Sequence, residues 1–199
     1  FDPTAAAYNG LAKGDTQKIT IPVTVTDGTG GTDSKDLVIT LTGTNDSPVL
    51  QQIQAQSVTE DGNLVAGTIT ATDVDAHETT TYTAATIDGF ALNPDGSYTF
   101  DPSHSAYQHL AVGQDQTVTI PITVTDQDGG TDTQNLVLTV HGVNDAAKII
   151  DLGNSGVKED TKVVAGYLQA HGQLGIVDVD DGEKYFTHET IAGQFGSFK

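Results

Sequence analysis

The chain has 199 residues, with 27 acidic side chains against 8 lysines and a net charge of −19; that length suits one large domain or two of about 100 residues. It contains no Cys, Met, Trp or Arg, which excludes disulfides, thiol catalysis and thiolate zinc sites, and the lack of clustered cations excludes nucleic acid as a partner. No apolar run approaches the ~20 residues of a membrane span, so no membrane insertion is expected, and the charge suits a self-repelling surface or one that takes up metal cations.

The first predicted element is the stretch KITIPVTVT, where Ile19, Ile21, Val23 and Val25 alternate with Thr and Pro. That period of two predicts a half-buried strand, with β-branched Thr on its outer face. DGTGG follows as a hairpin turn, and Leu37, Ile39 and Leu41 form the next alternating face. NPDGS at 93–97 marks another turn. Val118, Ile120, Ile122 and Val124, then QDGG, then Leu136, Leu138 and Val140 repeat the first hairpin. Pro22 and Pro121 lack an N–H and predict an edge strand or a bulge. No segment keeps a helical spacing, so the reading is all-β. Several short strands in ~100 residues, with turns between them, predict a Greek-key sandwich.

The two hairpins are one phrase written twice. A shift of 99 aligns residues 1–46 with 100–145 closely and without a gap, and carries Glu60 and Asp61 onto Glu159 and Asp160. After an insertion around HGQLG, Asp73 and Asp75 correspond to Asp178 and Asp180. Three pieces follow: the back of one repeat (1–46), a whole repeat (47–145) and the front of a third (146–199). Placed end to end, GSFK and FDPTAAAY reproduce GSYTFDPSHSAY of the middle repeat. The chain is therefore expected to be either a window of a tandem array or a subunit that joins copies of itself head to tail.

The acids recur with the repeat, at predicted strand ends: Asp27 and Asp126; Asn45, Asp46 and Asn144, Asp145; Glu60 and Glu159; Asp73, Asp75 and Asp178, Asp180. Turn propensity alone accounts for an isolated Asp or Asn, but not for pairs that return at the same places. Carboxylates and Asn carbonyls are hard oxygen donors of the kind Ca²⁺ takes in sets of ~6–8. The two carboxylates of D-x-D would face opposite ways on an extended strand and converge only if the chain turns there.

The stretch VTVTDGTGGTDSKDLVITLTGTNDSPVL resembles the end of one cadherin-type domain and the start of the next. Over essentially its full length the chain resembles bacterial cadherin-like repeats of the VCBS type, found in tandem in giant secreted RTX-type adhesins. The resemblance implies tandem Ig/cadherin-like Greek-key β-sandwiches of about 100 residues, with Ca²⁺ held where repeats meet. Carried over, the first junction would use Asn45, Asp46, Asp73, Asp75 and Asp126, and the second Glu60, Asn144, Asp145, Asp178 and Asp180. Asp101 in FDP would stand for the acid that precedes the linker, and Asp27 would belong to a junction upstream. The second linker reads NDAAK in place of N-D-x-P, which puts its rigidity in doubt. DVDDGE at 178–183 is set aside as an EF-hand loop because its Gly comes one position early and the other repeat lacks it.

Catalysis finds little support. His77, His104, His109, His141, His171 and His188 have no His at their repeat counterparts and read as turn or solvent residues, and no G-x-S-x-G occurs. A glycosidase would need two carboxylates across a cleft, and a small tandem sandwich offers none. The chain is expected not to be an enzyme. Tyr82, Phe90, Tyr98, Phe100 and Tyr107 lie in or beside predicted strands and read as core, which weighs against, without removing, a calcium-dependent carbohydrate-binding module. The expected role is a calcium-stiffened spacer of an extracellular bacterial adhesin at the cell surface. Its partners would be adjacent repeats or head-to-tail copies, with any glycan or surface ligand bound by other regions.

Overall fold

The computed structural model describes residues 1–151, 163–164, 167–168, 173–193 and 196–198. Glu159 and Asp160, the repeat counterparts of Glu60 and Asp61, lie outside the described residues. Among the described residues the fold is all-β apart from one turn of 3-10 helix at Ala6–Tyr8. It divides into two compact units, one made of residues 1–56, 64–101 and 118–138, the other of 57–63, 102–117 and 139–199.

The chain begins with β1 (Thr16–Thr26) and β2 (Thr32–Thr42), a two-stranded antiparallel sheet in unbroken register from Thr16↔Thr42 to Thr26↔Thr32. Pro22 lies opposite Asp36 on an edge, without a bulge. The middle of the chain supplies β3 (Val49–Leu50), β4 (Gln56–Thr59), β5 (Val65–Thr68), β6 (Ala71–Thr72), β7 (Thr81–Ala84), β8 (Phe90–Leu92), β9 (Ser97–Phe100), β10 (Asp115–Thr125) and β11 (Thr131–His141). One sheet has the order β4-β11-β10-β7 and the other β5-β9-β8, with β3 paired to β6. The alternating faces turn inward: Ile120, Ile122 and Val124 of β10, Leu136, Leu138 and Val140 of β11 and Phe100 of β9 are all fully buried. Tyr82, Tyr98 and Tyr107 are buried with them, as their place beside strands predicts, and Phe90 is half-buried.

β10 is an inner strand, which corrects the edge-or-bulge expectation for Pro121. The ladder to β7 runs from Ile122↔Ala84 to Thr125↔Thr81 and ends one residue short of the proline. The missing N–H therefore falls just beyond the reach of β7 and costs no ladder hydrogen bond. The expected turns form. Asn93 N–H donates to the Ser97 carbonyl at 2.8 Å, and Gly96 sits at φ 85° between β8 and β9, a left-handed conformation that an L side chain resists.

The final segment holds β12 (Lys148–Asp151), β13 (Val163–Val164), β14 (Tyr167–Leu168), β15 (Leu174–Val177), β16 (Ile191–Gly193) and β17 (Gly196–Phe198). They pair antiparallel as β12 with β15, β13 with β14 and β16 with β17. Among the described residues no helix is long and apolar enough to cross a membrane.

One contrast separates the two copies of the hairpin. Ile21, Val23, Val25 and Leu37 are 38%, 52%, 65% and 51% exposed, whereas their counterparts Ile120, Ile122, Val124 and Leu136 are at 0%. The sequences carry the same alternation, but among the described residues only the second hairpin has its apolar face buried.

Candidate metal centres at the two linkers

The first cluster forms where the chain bends after β6. Asp75 N–H donates to Asp73 Oδ1 at 3.0 Å, so the D-x-D turns on itself instead of running on as a strand. This is the turn that convergence of the two carboxylates requires. His77 then takes φ 66°, and Glu78 comes back beside Asp73 and Asp126, with one carboxylate oxygen from each of the three lying within 4.8 Å of the others. The linker is tied in from the other side: Asp46 N–H donates to Asp75 Oδ2 at 2.8 Å, and Asn45 Nδ2 donates to Asp126 Oδ2 at 3.0 Å.

Asp126 divides its labour. Its Oδ1 accepts the backbone N–H groups of Asp128 at 2.9 Å and Gly130 at 2.8 Å, which builds the hairpin turn, while Oδ2 faces Asn45 and the cluster. Gly130 is required by this close approach: a Cβ there would run into the Asp126 carboxylate, Asn45 and Ser47. Burial pushes the Asp126 acid up, but hydrogen bonds from Asn45 and from the backbone of Gly130, Asp128 and Gly129 outweigh it and hold the carboxyl below its ordinary range.

The second cluster repeats this geometry on different residues. Asp180 N–H donates to Asp178 Oδ1 at 3.1 Å, and Asp145 N–H donates to Asp180 Oδ2 at 2.8 Å. Asn144 Nδ2 caps the Asp145 carbonyl at 2.8 Å, as Asn45 Nδ2 caps that of Asp46 at 2.8 Å. Even the flanking backbone contact recurs, from Ala76 N–H to the Gly10 carbonyl at 3.3 Å and from Asp181 N–H to the His109 carbonyl at 3.0 Å. Here Glu60 joins in, its Oε1 accepting the Val143 N–H at 2.7 Å while the residue is only 1% exposed. Burial, then the charges of Asp180, Asp145 and Asp61, raise the Glu60 acid despite that hydrogen bond. Burial, Asp61, Asp180 and Asp178 likewise raise Asp145, with Lys148 a partial offset.

The two remaining predicted residues stand differently. Asp27 is exposed, and its Oδ1 accepts from Thr29 N–H at 2.9 Å, Thr29 Oγ1 at 2.9 Å and Gly31 N–H at 2.8 Å. These bonds, the Thr29 hydroxyl first, lower its acid. Asp101 follows β9, half-buried, with its N–H on the Gly89 carbonyl at 2.8 Å.

Glu78 was absent from the sequence-predicted set. The signal existed: DVDAHE at 73–78 and DVDDGE at 178–183 share D-x-D-x-x-E, once the eye is off the EF-hand glycine. Burial, and then the charges of Asp126, Asp128 and Asp73, raise the Glu78 acid.

What the clusters can do follows from the atoms left over. Asn45 Oδ1, Asp73 Oδ2, Asp75 Oδ1 and both Glu78 oxygens are buried without a hydrogen-bond partner, as are Glu60 Oε2, Asp145 Oδ2 and Asp180 Oδ1. Among the described residues the only other such side-chain atom is Gln108 Nε2. Buried acceptors with no donor are costly and call for a cation or water. An all-oxygen set of mostly carboxylates, gathered despite mutual repulsion, fits a hard divalent cation.

The middle of the chain is thus a two-sheet arrangement whose acids gather at the linkers. Residues 45–142 match the family model of the bacterial cadherin-like domain, and this repeat of the chain belongs to that family. Among solved structures the chain is similar to protocadherin gamma B7 extracellular cadherin domains 1–4 (14% identity, TM-score 0.46, covering 92% of this chain and 56% of that one). It is similar also to mouse protocadherin-24 EC1-3 (18% identity, TM-score 0.40, 64% and 46%) and mouse clustered PcdhgC3 EC1-3 (20% identity, TM-score 0.42, 64% and 44%). The chain thus spans about half the length of these structures. No curated protein matches it.

Proposed function

We infer that this chain is a calcium-rigidified spacer from a long extracellular bacterial adhesin, made of the back of one repeat (1–46), a complete repeat (47–145) and the front of a third (146–199). The observation that carries the reading is the set of orphaned, buried oxygens at each linker, built twice with the same hydrogen bonds. Asn45, Asp46, Asp73, Asp75, Asp126 and Glu78 would serve one ion site. Glu60, Asn144, Asp145, Asp178 and Asp180 would serve the other. Asp101 is held as the acid that precedes the linker, and Asp27 as the counterpart of Asp126 for a junction upstream.

Calcium supplies positive charge between carboxylates that otherwise repel. In its absence that repulsion loosens the linker, and in its presence linker and sandwich share ligands and the rod stiffens. Extracellular modules bind Ca²⁺ at ~10⁻⁴–10⁻³ M, so the chain would stay flexible inside a cell and stiffen on export, projecting a distal binding region. Small-angle scattering with calcium and with EGTA tests this. The expected result is a longer maximum dimension with calcium, and an unchanged one refutes it.

A second reading is a head-to-tail filament subunit. It is favoured by the exposed apolar face of β1 and β2, whose counterpart in β10 and β11 is fully covered. Sedimentation of the 199-residue chain over a dilution series separates the two, because a filament subunit gains mass and ordered structure with concentration while a spacer keeps a folded middle repeat at every dilution. The glycan-binding reading gains no such observation, since Tyr82, Tyr98, Phe100 and Tyr107 are buried.

A further inference from the structure

His141, which the sequence reading left to turns or solvent, lies at the centre of a hydrogen-bonded chain. Three neighbouring strands meet here in the order β4-β11-β10 and present Ser57, His141 and Asp115. Asp115 Oδ1 lies 2.6 Å from His141 Nδ1, and Ser57 Oγ lies 2.5 Å from His141 Nε2. An ionised carboxylate only accepts, so Nδ1 carries the proton. In the neutral ring that leaves the Nε2 lone pair free to accept the Ser57 hydroxyl proton. The His141 and Asp115 side chains are 41% and 53% exposed, and Ser57 is exposed as well, so a small molecule in solution reaches the serine directly.

A serine hydroxyl on the bare nitrogen of an imidazole whose other nitrogen is held by a carboxylate is the arrangement that activates a serine for acyl transfer, and it is recognised by geometry, whatever the fold. We propose that Ser57, His141 and Asp115 form a surface nucleophile that accepts acyl groups from small activated esters and hydrolyses them. Ser57 Oγ attacks the carbonyl carbon while its proton passes to His141 Nε2. The bond to the leaving alcohol or phenol breaks, the leaving oxygen takes that proton, and an ester of Ser57 remains. Water then gives a proton to the same nitrogen, attacks the acyl carbon and releases the carboxylic acid, and the proton returns to the Ser57 oxygen. Asp115 is a positioning residue that fixes the tautomer.

The site is on an open sheet face, so the acid–base pair supplies the acceleration, on the order of 10²–10⁴-fold over unassisted serine, with no selectivity for acyl chain length. Neither calcium nor the spacer reading enters into it.

The test uses the whole chain and p-nitrophenyl acetate, with peptide mass spectrometry to locate the acetyl group. The expected result is acetyl-Ser57 in a short reaction, with steady release of nitrophenol. S57A removes both signals, and H141A lowers the rate ~10²-fold, with added imidazole restoring part of it. D115N lowers the rate about 10-fold and D115E recovers part of that loss, which a purely structural strap would not do. All variants are checked for unchanged melting temperature. Hydrolysis by S57A at the wild-type rate, or acetyl found on lysines and not on Ser57, overturns the proposal.

Discussion

Replacing Glu78 by Gln is the sharpest probe of the first cluster, because it keeps the shape and removes the charge, turning one acceptor oxygen into an NH₂ donor. Glu78 brings a carboxylate within 4.8 Å of Asp73 and Asp126, and both of its oxygens are buried without partners. Without a cation this crowding opposes the folded state, and with one it is the source of affinity. For a site of Kd ~10⁻⁴ M, 10 mM calcium is ~100 Kd and stabilises the wild-type protein by about 2.7 kcal/mol. In a repeat of about 100 residues that raises Tm by roughly 10–20 °C. Loss of even an outer ligand partner weakens metal sites ~10–100-fold, so in E78Q the calcium-induced shift falls to about half or less. In chelator the order reverses, and E78Q melts at or above the wild type. Calorimetry in 10 mM calcium (about 100 Kd) and in EGTA reads both arms. An equal fall in Tm in the two buffers would show that Glu78 is an ordinary structural partner and sink the reasoning.

The second site has its own pH signature through Glu60. Its folded acid is raised above 4.5, so in chelator the stability it contributes while protonated is lost as pH rises through the raised value. E60Q should therefore gain on the wild type in chelator as pH is taken from 4.5 towards neutrality and lose to it in calcium, and parallel melting curves across that range would contradict this. L136A and L37A change repeat-equivalent leucines that are 0% and 51% exposed. The first should cost ~2–5 kcal/mol in urea unfolding, the second within about 0.5 kcal/mol, and equal costs would mean that the first hairpin is covered in solution. G130A drives a Cβ into Asp126 and Asn45 and should reduce the calcium-induced rise in Tm by more than half. G129A, where a Cβ meets only open space, should leave most of that rise in place while paying for the left-handed φ of 95° in both buffers.

The strands were legible because their alternation is local: Val118 to Val124 and Leu136 to Val140 announce a buried face in the order of the residues themselves. What covers a face is not local. Leu37 and Leu136 sit in nearly the same words and end at opposite extremes of burial. Glu78 escaped notice for a related reason. Its spacing from Asp73 is written in the sequence, but its return to Asp126 depends on the bend at residues 74–75 and the left-handed His77. Ser57, His141 and Asp115 had no signal at all, being joined only by strand order across β4, β11 and β10. The repeat gives no second copy of them, with Thr42 and Thr16 in the places of His141 and Asp115.

Asp27 and Asp126 show why turn residue and ion ligand were never rival readings. Both carboxylates spend Oδ1 on the N–H two residues on and the glycine N–H four residues on, the local bonding that makes Asp common in hairpin turns. That fixes the rotamer and aims Oδ2 outward at no further cost in side-chain entropy. Among the described residues, Asp27 bonds only within its own turn. In Asp126 the Asn45 amide of the linker arrives at that oxygen, and the acids of Asp73 and Glu78 come within 4.8 Å of the carboxylate from the bend after β6. Turn chemistry therefore pre-organises the donor, and the neighbours brought by the fold decide whether it has an ion to hold. A motif search sees the same VTD in both places; the difference lies in what is delivered to it.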